Sequence, residues 1–167
     1  MRVAILGAGA GGASAAVELT HNGHEVRWWN RSASSIEGFA RSHGIHHVGV
    51  LGDGFTALDC ITTRLSLAAD GADVLLVCLP TLAHAAAARS LIDADIRHIP
   101  TILNPGHTGG ALEFSHLFRQ RGLAPPPLVE FSTLTYVARL RSAEELVVTG
   151  RARSVRVAAM RGGQLAL

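Results

Sequence analysis

Apolar positions open the chain as a short run, Arg2 to Leu6, which breaks directly into Gly7-Ala8-Gly9-Ala10-Gly11-Gly12. Ala13 to Thr20 then carries the small and apolar residues of a buried helix, and Asn22-Gly23 is a good stop signal. His24 to Trp29 predicts a second strand, and strand, glycine turn, helix and strand in sequence make a right-handed βαβ unit. Ser32 or Ser34 is placed to cap a second helix running to His43, with Gly44 ending it. His46 to Leu51 and Asp59 to Thr63 read as short strands joined by the Gly52-Asp53-Gly54 turn. Asp73 to Leu79 is the clearest internal strand, because Val74-Leu75-Leu76-Val77 is apolar at successive positions, the pattern of a strand buried on both faces. Pro80 ends it. An alanine-rich helix over Thr81 to Ile92, a strand over Thr101 to Leu103, a helix over Gly109 to Arg121 and a strand over Leu128 to Ser132 continue the alternation.

That alternation predicts an α/β fold of the Rossmann type: a doubly wound, mostly parallel sheet with helices on both faces. After Leu134 the helices drop out, and Thr135 to Leu140, Leu146 to Thr149 and Ser154 to Ala158 read as an antiparallel C-terminal extension of the sheet. A chain of 167 residues suits one such domain, 1–167. At 48% hydrophobic and 17% charged it is globular, and no apolar run approaches a membrane span. The start shows no basic segment leading into an apolar signal, so a cytoplasmic protein with no membrane partner is expected. All fifteen basic residues are arginine, which excludes a Walker-type phosphate loop and Schiff-base catalysis within these residues. A net charge of +2 gives no reason to expect nucleic acid. Cys60 and Cys78 match no zinc or redox spacing, and Cys78 reads as core. His43, His46 and His47 are suggestively spaced, but Gly44 breaks the helix that would align them, so no metal site is expected.

Chemistry enters at the glycine turn. Gly7, Gly9 and Gly12 fill the GxGxxG spacing between a strand and a helix, the context in which this motif binds dinucleotides. The first glycine permits the turn, the second admits a diphosphate to the backbone, and the third lets helix and strand pack closely. Ala10 and Gly11 complete the loop, whose free amides and helix dipole hold the anion. At the end of the second strand stand Asn30, Arg31 and Ser32, with no acid to accept ribose hydroxyls. A guanidinium there pairs with the additional phosphate of NADP, so NADP is the expected cofactor, with NAD possible.

Three later segments lie beyond the carboxyl ends of predicted strands, where such sheets bind ligands. They are Cys78-Leu79-Pro80-Thr81-Leu82-Ala83-His84, Asn104-Pro105-Gly106-His107-Thr108-Gly109-Gly110-Ala111-Leu112-Glu113-Phe114, and Glu130 to Arg139. With the N-terminal fingerprint they resemble the cofactor domain of the octopine and opine dehydrogenases. The resemblance implies NAD(P)H-dependent condensation of an amino acid with a 2-oxo acid and reduction of the imine. It places Leu79, Pro80, His84, Asn104, Pro105, Gly106 and Glu130 beside the cofactor; position beyond the strand end puts Asn104 toward the ribose or carboxamide, and His107 is the local candidate for substrate contact. It also implies a following helical domain that carries the catalytic histidine, so the catalytic residues are unknown here, and a helical-domain or homo-oligomer partner is expected. One departure is Phe131 after Glu130, where relatives tend to carry threonine. Alternatives are the cofactor domain of a ketopantoate reductase or glycerol-3-phosphate dehydrogenase, and a noncatalytic dinucleotide-binding module.

Overall fold

A computed structural model describes residues 1–107, 109–142 and 144–160. Its elements run β1 (Arg2–Leu6), α1 (Ala10–His21), β2 (Glu25–Trp29), α2 (Glu37–Ser42), β3 (Gly44–Gly49), β4 (Gly54–Ala57), β5 (Cys60–Thr62), α3 (Leu65–Ala69) and β6 (Val74–Val77). They continue with α4 (His84–Asp93), β7 (Thr101–Leu103), α5 (Gly110–Gln120), β8 (Leu128–Phe131), β9 (Tyr136–Leu140), β10 (Glu145–Arg151) and β11 (Val157–Ala159).

The main sheet has seven strands in the order β11-β8-β7-β6-β1-β2-β5. All its pairings are parallel except β11 with β8. This is the doubly wound fold that the alternation predicts. Strand order reverses between β1 and β6, which opens a crevice beyond their carboxyl ends. Side chains alternate to the two faces: Val3 and Ile5 join Phe39 of α2 and the small residues of α1, while Ala4, Leu6, Leu75 and Val77 join Leu91, Phe114 and Phe118 from α4 and α5.

The C-terminal strands depart from expectation. Among the described residues only β11 extends the main sheet antiparallel; β9 and β10 form a second, four-stranded sheet in the order β4-β3-β10-β9. Its central pair, β3 with β10, is parallel and joins segments about a hundred residues apart, a register that no local pattern encodes. The Gly52-Asp53-Gly54 turn closes a hairpin between β3 and β4, with Gly49 N–H donating to Asp53 Oδ1 at 2.8 Å, rather than leading to β5. Leu146 and Val148 press this sheet onto α1, which therefore lies between two sheets and is built almost wholly of small side chains. Glu18 of α1 fastens the layer: its carboxylate accepts from Tyr136 Oη and from Arg151, each at 2.5 Å. Burial, followed by the hydrogen bond to Glu18, pushes the Tyr136 phenol well above its usual range.

Two boundaries also shift. His43, in the left-handed region at φ 56°, ends α2, and Gly44 begins β3 because a side chain there would collide with the Thr56 carbonyl. The first helix starts at Ala10, three residues earlier than its small-residue run suggests, so the last two glycines of the turn belong to the helix. No helix among the described residues is long and apolar enough to cross a membrane.

Candidate functional site

The glycines of the turn meet different constraints. Gly7 has φ +120°, and a side chain there would run into the Cys78 carbonyl oxygen. A Cβ on Gly12 would be driven into the Gly7 carbonyl oxygen, the same atom that accepts the buried Trp28 Nε1–H at 2.9 Å. Gly9 has an ordinary extended backbone, φ −83° and ψ 177°, and a Cβ there would meet nothing within 4 Å among the described residues. The protein's own atoms therefore account for Gly7 and Gly12. At Gly9 the space above the backbone suits a bound group.

Gly9 is the N-cap of α1, with no side-chain cap and no acid in the first turn. The first helical intrachain bond runs from Ala13 N–H to the Gly9 carbonyl, which leaves the Ala10, Gly11 and Gly12 amides without helical acceptors at the positive end of the dipole. An open cradle lined by uncapped amides is a fit for the pyrophosphate of a dinucleotide. Asn30 props the loop from β2: its Oδ1 accepts from Ala8 N–H at 3.1 Å and its Nδ2 donates to the Ser32 carbonyl at 3.0 Å. The Ser32 and Ser34 hydroxyls lie 2.9 Å apart at the surface.

Beside this loop a cleft of about 120 Å³ is lined by Trp29, Asn30, Arg31, Ser32, Leu79 and Ala83, with α4 beneath. Arg31 is exposed and makes no ion pair among the described residues. Pro80 turns the chain after β6, and Leu79 packs against Gly7. The structure thus gathers Gly7, Gly9, Ala10, Gly11, Gly12, Asn30, Arg31, Ser32, Leu79 and Pro80 at one edge of the sheet.

The remaining expected residues are His84, which follows β6, and a group after β7 and β8. His84, fully buried at the start of α4, donates from Nε2 to the Leu79 carbonyl at 3.2 Å, and its Nδ1 has no partner among the described residues. Glu130 accepts the Ala111 amide at 2.9 Å and so caps α5, which no side chain on α5 does. Gly106 fits against Glu130, where any side chain would clash, and its amide donates to the Phe131 carbonyl at 2.8 Å. Pro105 follows a cis peptide bond after Asn104. Asn104 accepts from Thr135 Oγ1 at 3.0 Å and faces a groove on the α1 side of the sheet rather than the cleft beside Arg31. His107 is exposed, with φ 55°. Sequence reasoning missed this wiring, in which Glu130 and His84 secure loops; the missing signal was the contact of Glu130 with a helix start nineteen residues away.

Three other histidines, His21, His46 and His47, are engaged in structure. His47 donates from Nδ1 to the Gly52 carbonyl and meets Thr56 Oγ1, which also meets His21, while His46 packs on Phe55. Burial pushes the Cys78 thiol up to about 12, so it is inert as a nucleophile.

Burial also holds the His84 imidazole below its ordinary value of 6.5, opposed mainly by its bond to Leu79. The folded chain therefore keeps His84 neutral at pH values where the unfolded chain takes up a proton. Its contribution to stability is complete above pH 6.5 and is lost as pH falls from there toward the folded value. In urea titrations the stability advantage of the wild type over His84→Gln should shrink between pH 7 and pH 5; a constant gap would contradict this assignment.

Comparison with known proteins returns one family model, described as ketopantoate reductase PanE/ApbA, over residues 3–104. The opine dehydrogenase of Arthrobacter sp. (strain 1C) is 33% identical over 136 residues, covering 81% of this chain and 38% of the relative. Octopine dehydrogenase in complex with NADH and agmatine superimposes with a TM-score of 0.81 at 18% identity, over 97% of this chain and 42% of that one. Yersinopine dehydrogenase with NADP+ bound gives a TM-score of 0.79 at 16% identity, over 95% of this chain and 40% of that one. The structural likenesses establish the fold, and the chain spans about two fifths of the length of these relatives.

Proposed function

This chain belongs to the ketopantoate reductase PanE/ApbA family, and from that premise we propose that it is the nicotinamide-dinucleotide-binding domain of an opine-dehydrogenase-like oxidoreductase that prefers NADP(H). The observation that carries the reading is the empty space over Gly9 beneath the uncapped start of α1. Ala10, Gly11 and Gly12 hold the pyrophosphate through their amides. Arg31, Ser32 and Leu79 form the wall for the adenosine end. Glu130 and His84 hold the loops near the nicotinamide end in place. The bound cofactor supplies a hydride to a carbon–nitrogen double bond formed from an amino acid and a 2-oxo acid.

Residues 1–167 act as one domain in this reading. The catalytic acid/base pair and the second wall of the cleft come from further polypeptide of the kind the longer relatives possess. The 33% identity to an opine dehydrogenase across most of the chain supports the amino-acid substrate. The family model favours a second reading, a reductase that converts a 2-oxo acid to a hydroxy acid without any amine. In the complete enzyme, NADPH oxidation that requires an added amino acid supports the first reading, and oxidation independent of it the second.

Cofactor preference rests on Arg31. A bidentate guanidinium–phosphate contact favours NADPH, whereas an aspartate repels that phosphate and accepts ribose hydroxyls. Arg31→Asp should weaken NADPH binding by roughly 10- to 100-fold and leave NADH equal or tighter, taking ~1.4 kcal/mol per tenfold step. Parallel calorimetric titrations read both affinities, and an unchanged ratio would remove Arg31 from the site.

A further inference from the structure

The parallel ladder between β1 and β2 runs in backbone as far as Gly7, whose N–H donates to the Trp29 carbonyl at 2.8 Å. One residue further the rung is made by a side chain: Ala8 N–H donates to Asn30 Oδ1 at 3.1 Å. The other end of the same amide is also engaged, with Nδ2 donating to the Ser32 carbonyl at 3.0 Å. That carbonyl accepts the Ser35 N–H as well and so opens the 3-10 turn Ala33–Ser35. The Asn30 backbone is fixed from the far side, its N–H donating to the Thr62 carbonyl after β5 at 3.2 Å. One amide therefore bridges the glycine turn and the loop that carries Arg31.

Few side chains can make this bridge. Ala8 N–H only donates and the Ser32 carbonyl only accepts, so the residue between them needs one acceptor and one donor on a short stem. Aspartate, the usual occupant of this strand end in NAD sites, would accept from Ala8 but could not donate to Ser32. Serine and threonine offer a single atom. The consequence falls on the residue enclosed by the bridge: Arg31 stands at the apex of a ring closed from Asn30 to Ser32, while its side chain is exposed and in no ion pair among the described residues. Fixing that backbone before a phosphate arrives removes part of the ordering cost of binding it. At the other end, Ala8 directly precedes Gly9, the N-cap of α1.

We propose that Asn30 is a positioning residue that couples the two anion subsites of the cofactor, holding the pyrophosphate cradle through Ala8 and setting the NADP(H) preference through Arg31. The proposal rests on the reading of this chain as an NADP(H)-binding domain. It separates two effects that a merely structural residue would merge. Release of Ala8 weakens both nucleotides by the same factor, whereas release of Ser32 loosens Arg31 and weakens NADPH alone.

The test is calorimetry with NADPH and NADH on the 167-residue chain in four forms: unmodified, Asn30→Ala, Arg31→Ala and the double variant. Asn30→Ala should weaken NADH by roughly 3- to 10-fold and NADPH by at least a further ~10-fold. In the Arg31→Ala background the same substitution should weaken both nucleotides alike and leave their ratio within about twofold. Asn30→Thr, whose one hydroxyl cannot serve both loops, takes its place should the alanine variant fail to fold. A ratio that the substitution leaves unchanged would overturn the proposal. So would a ratio that falls equally with and without Arg31, because Asn30 would then act on the phosphate directly. An unmodified chain that binds neither nucleotide, or prefers NADH, would instead defeat the cofactor reading itself.

Discussion

Replacing Gly9 by valine should cost at least ~100-fold in dinucleotide affinity and leave the thermal midpoint within about 4 °C of the unmodified chain. The fold tolerates the change: the backbone is already extended, and a Cβ there touches nothing within 4 Å among the described residues. Its stability cost is the weaker N-cap, about 1 kcal/mol. Binding is another matter, because two methyl groups then occupy the space over the α1 amides where the pyrophosphate is held. Calorimetry of the variant with NADPH, beside a melting curve, separates the two effects. Undiminished affinity would show that the cradle has some other purpose.

Gly12→Ala, three residues along the same helix, should do the reverse and damage the fold. The added methyl is driven into the Gly7 carbonyl oxygen, and Trp28 Nε1 lies 3.3 Å from it. Neither neighbour yields cheaply, since one is backbone and the other is a fully buried indole bonded to that carbonyl. Overpacking against backbone should destabilise the chain by about 3 kcal/mol or more, which lowers the midpoint by roughly 6–12 °C. Gly11→Ala is the internal control. Nothing lies within 4 Å of its added Cβ, and exchanging glycine for alanine inside a helix stabilises by about 0.5–1 kcal/mol. If Gly12→Ala melts with Gly11→Ala, the close approach of α1 to β1 is not what holds this turn.

How much of this was legible follows from the range over which each feature is encoded. The βαβ start, the both-face burial of β6 and the loops after β6, β7 and β8 are written in contiguous residues, and the fold and the position of the crevice follow from them. β4 was missed because its four residues, Gly54–Ala57, bury only Thr56 and so carry little hydrophobic signal. The five-residue α3 is too short to show a periodicity. The second sheet depends on β3 finding β10 across the chain, a pairing chosen by packing on α1 rather than by either segment alone. At the site, residue identity was readable and wiring was not. Asn30 and Glu130 stand at the strand ends where the pattern places them, yet their hydrogen bonds to Ala8 and Ala111 are tertiary contacts that make them supports for the loops.

The most direct measurement is a calorimetric titration of the purified chain with NADPH and, in parallel, NADH. The account predicts one site per chain, with NADPH bound more tightly and a Kd below ~100 μM. No binding of either nucleotide up to about 1 mM, roughly −4 kcal/mol, would contradict it.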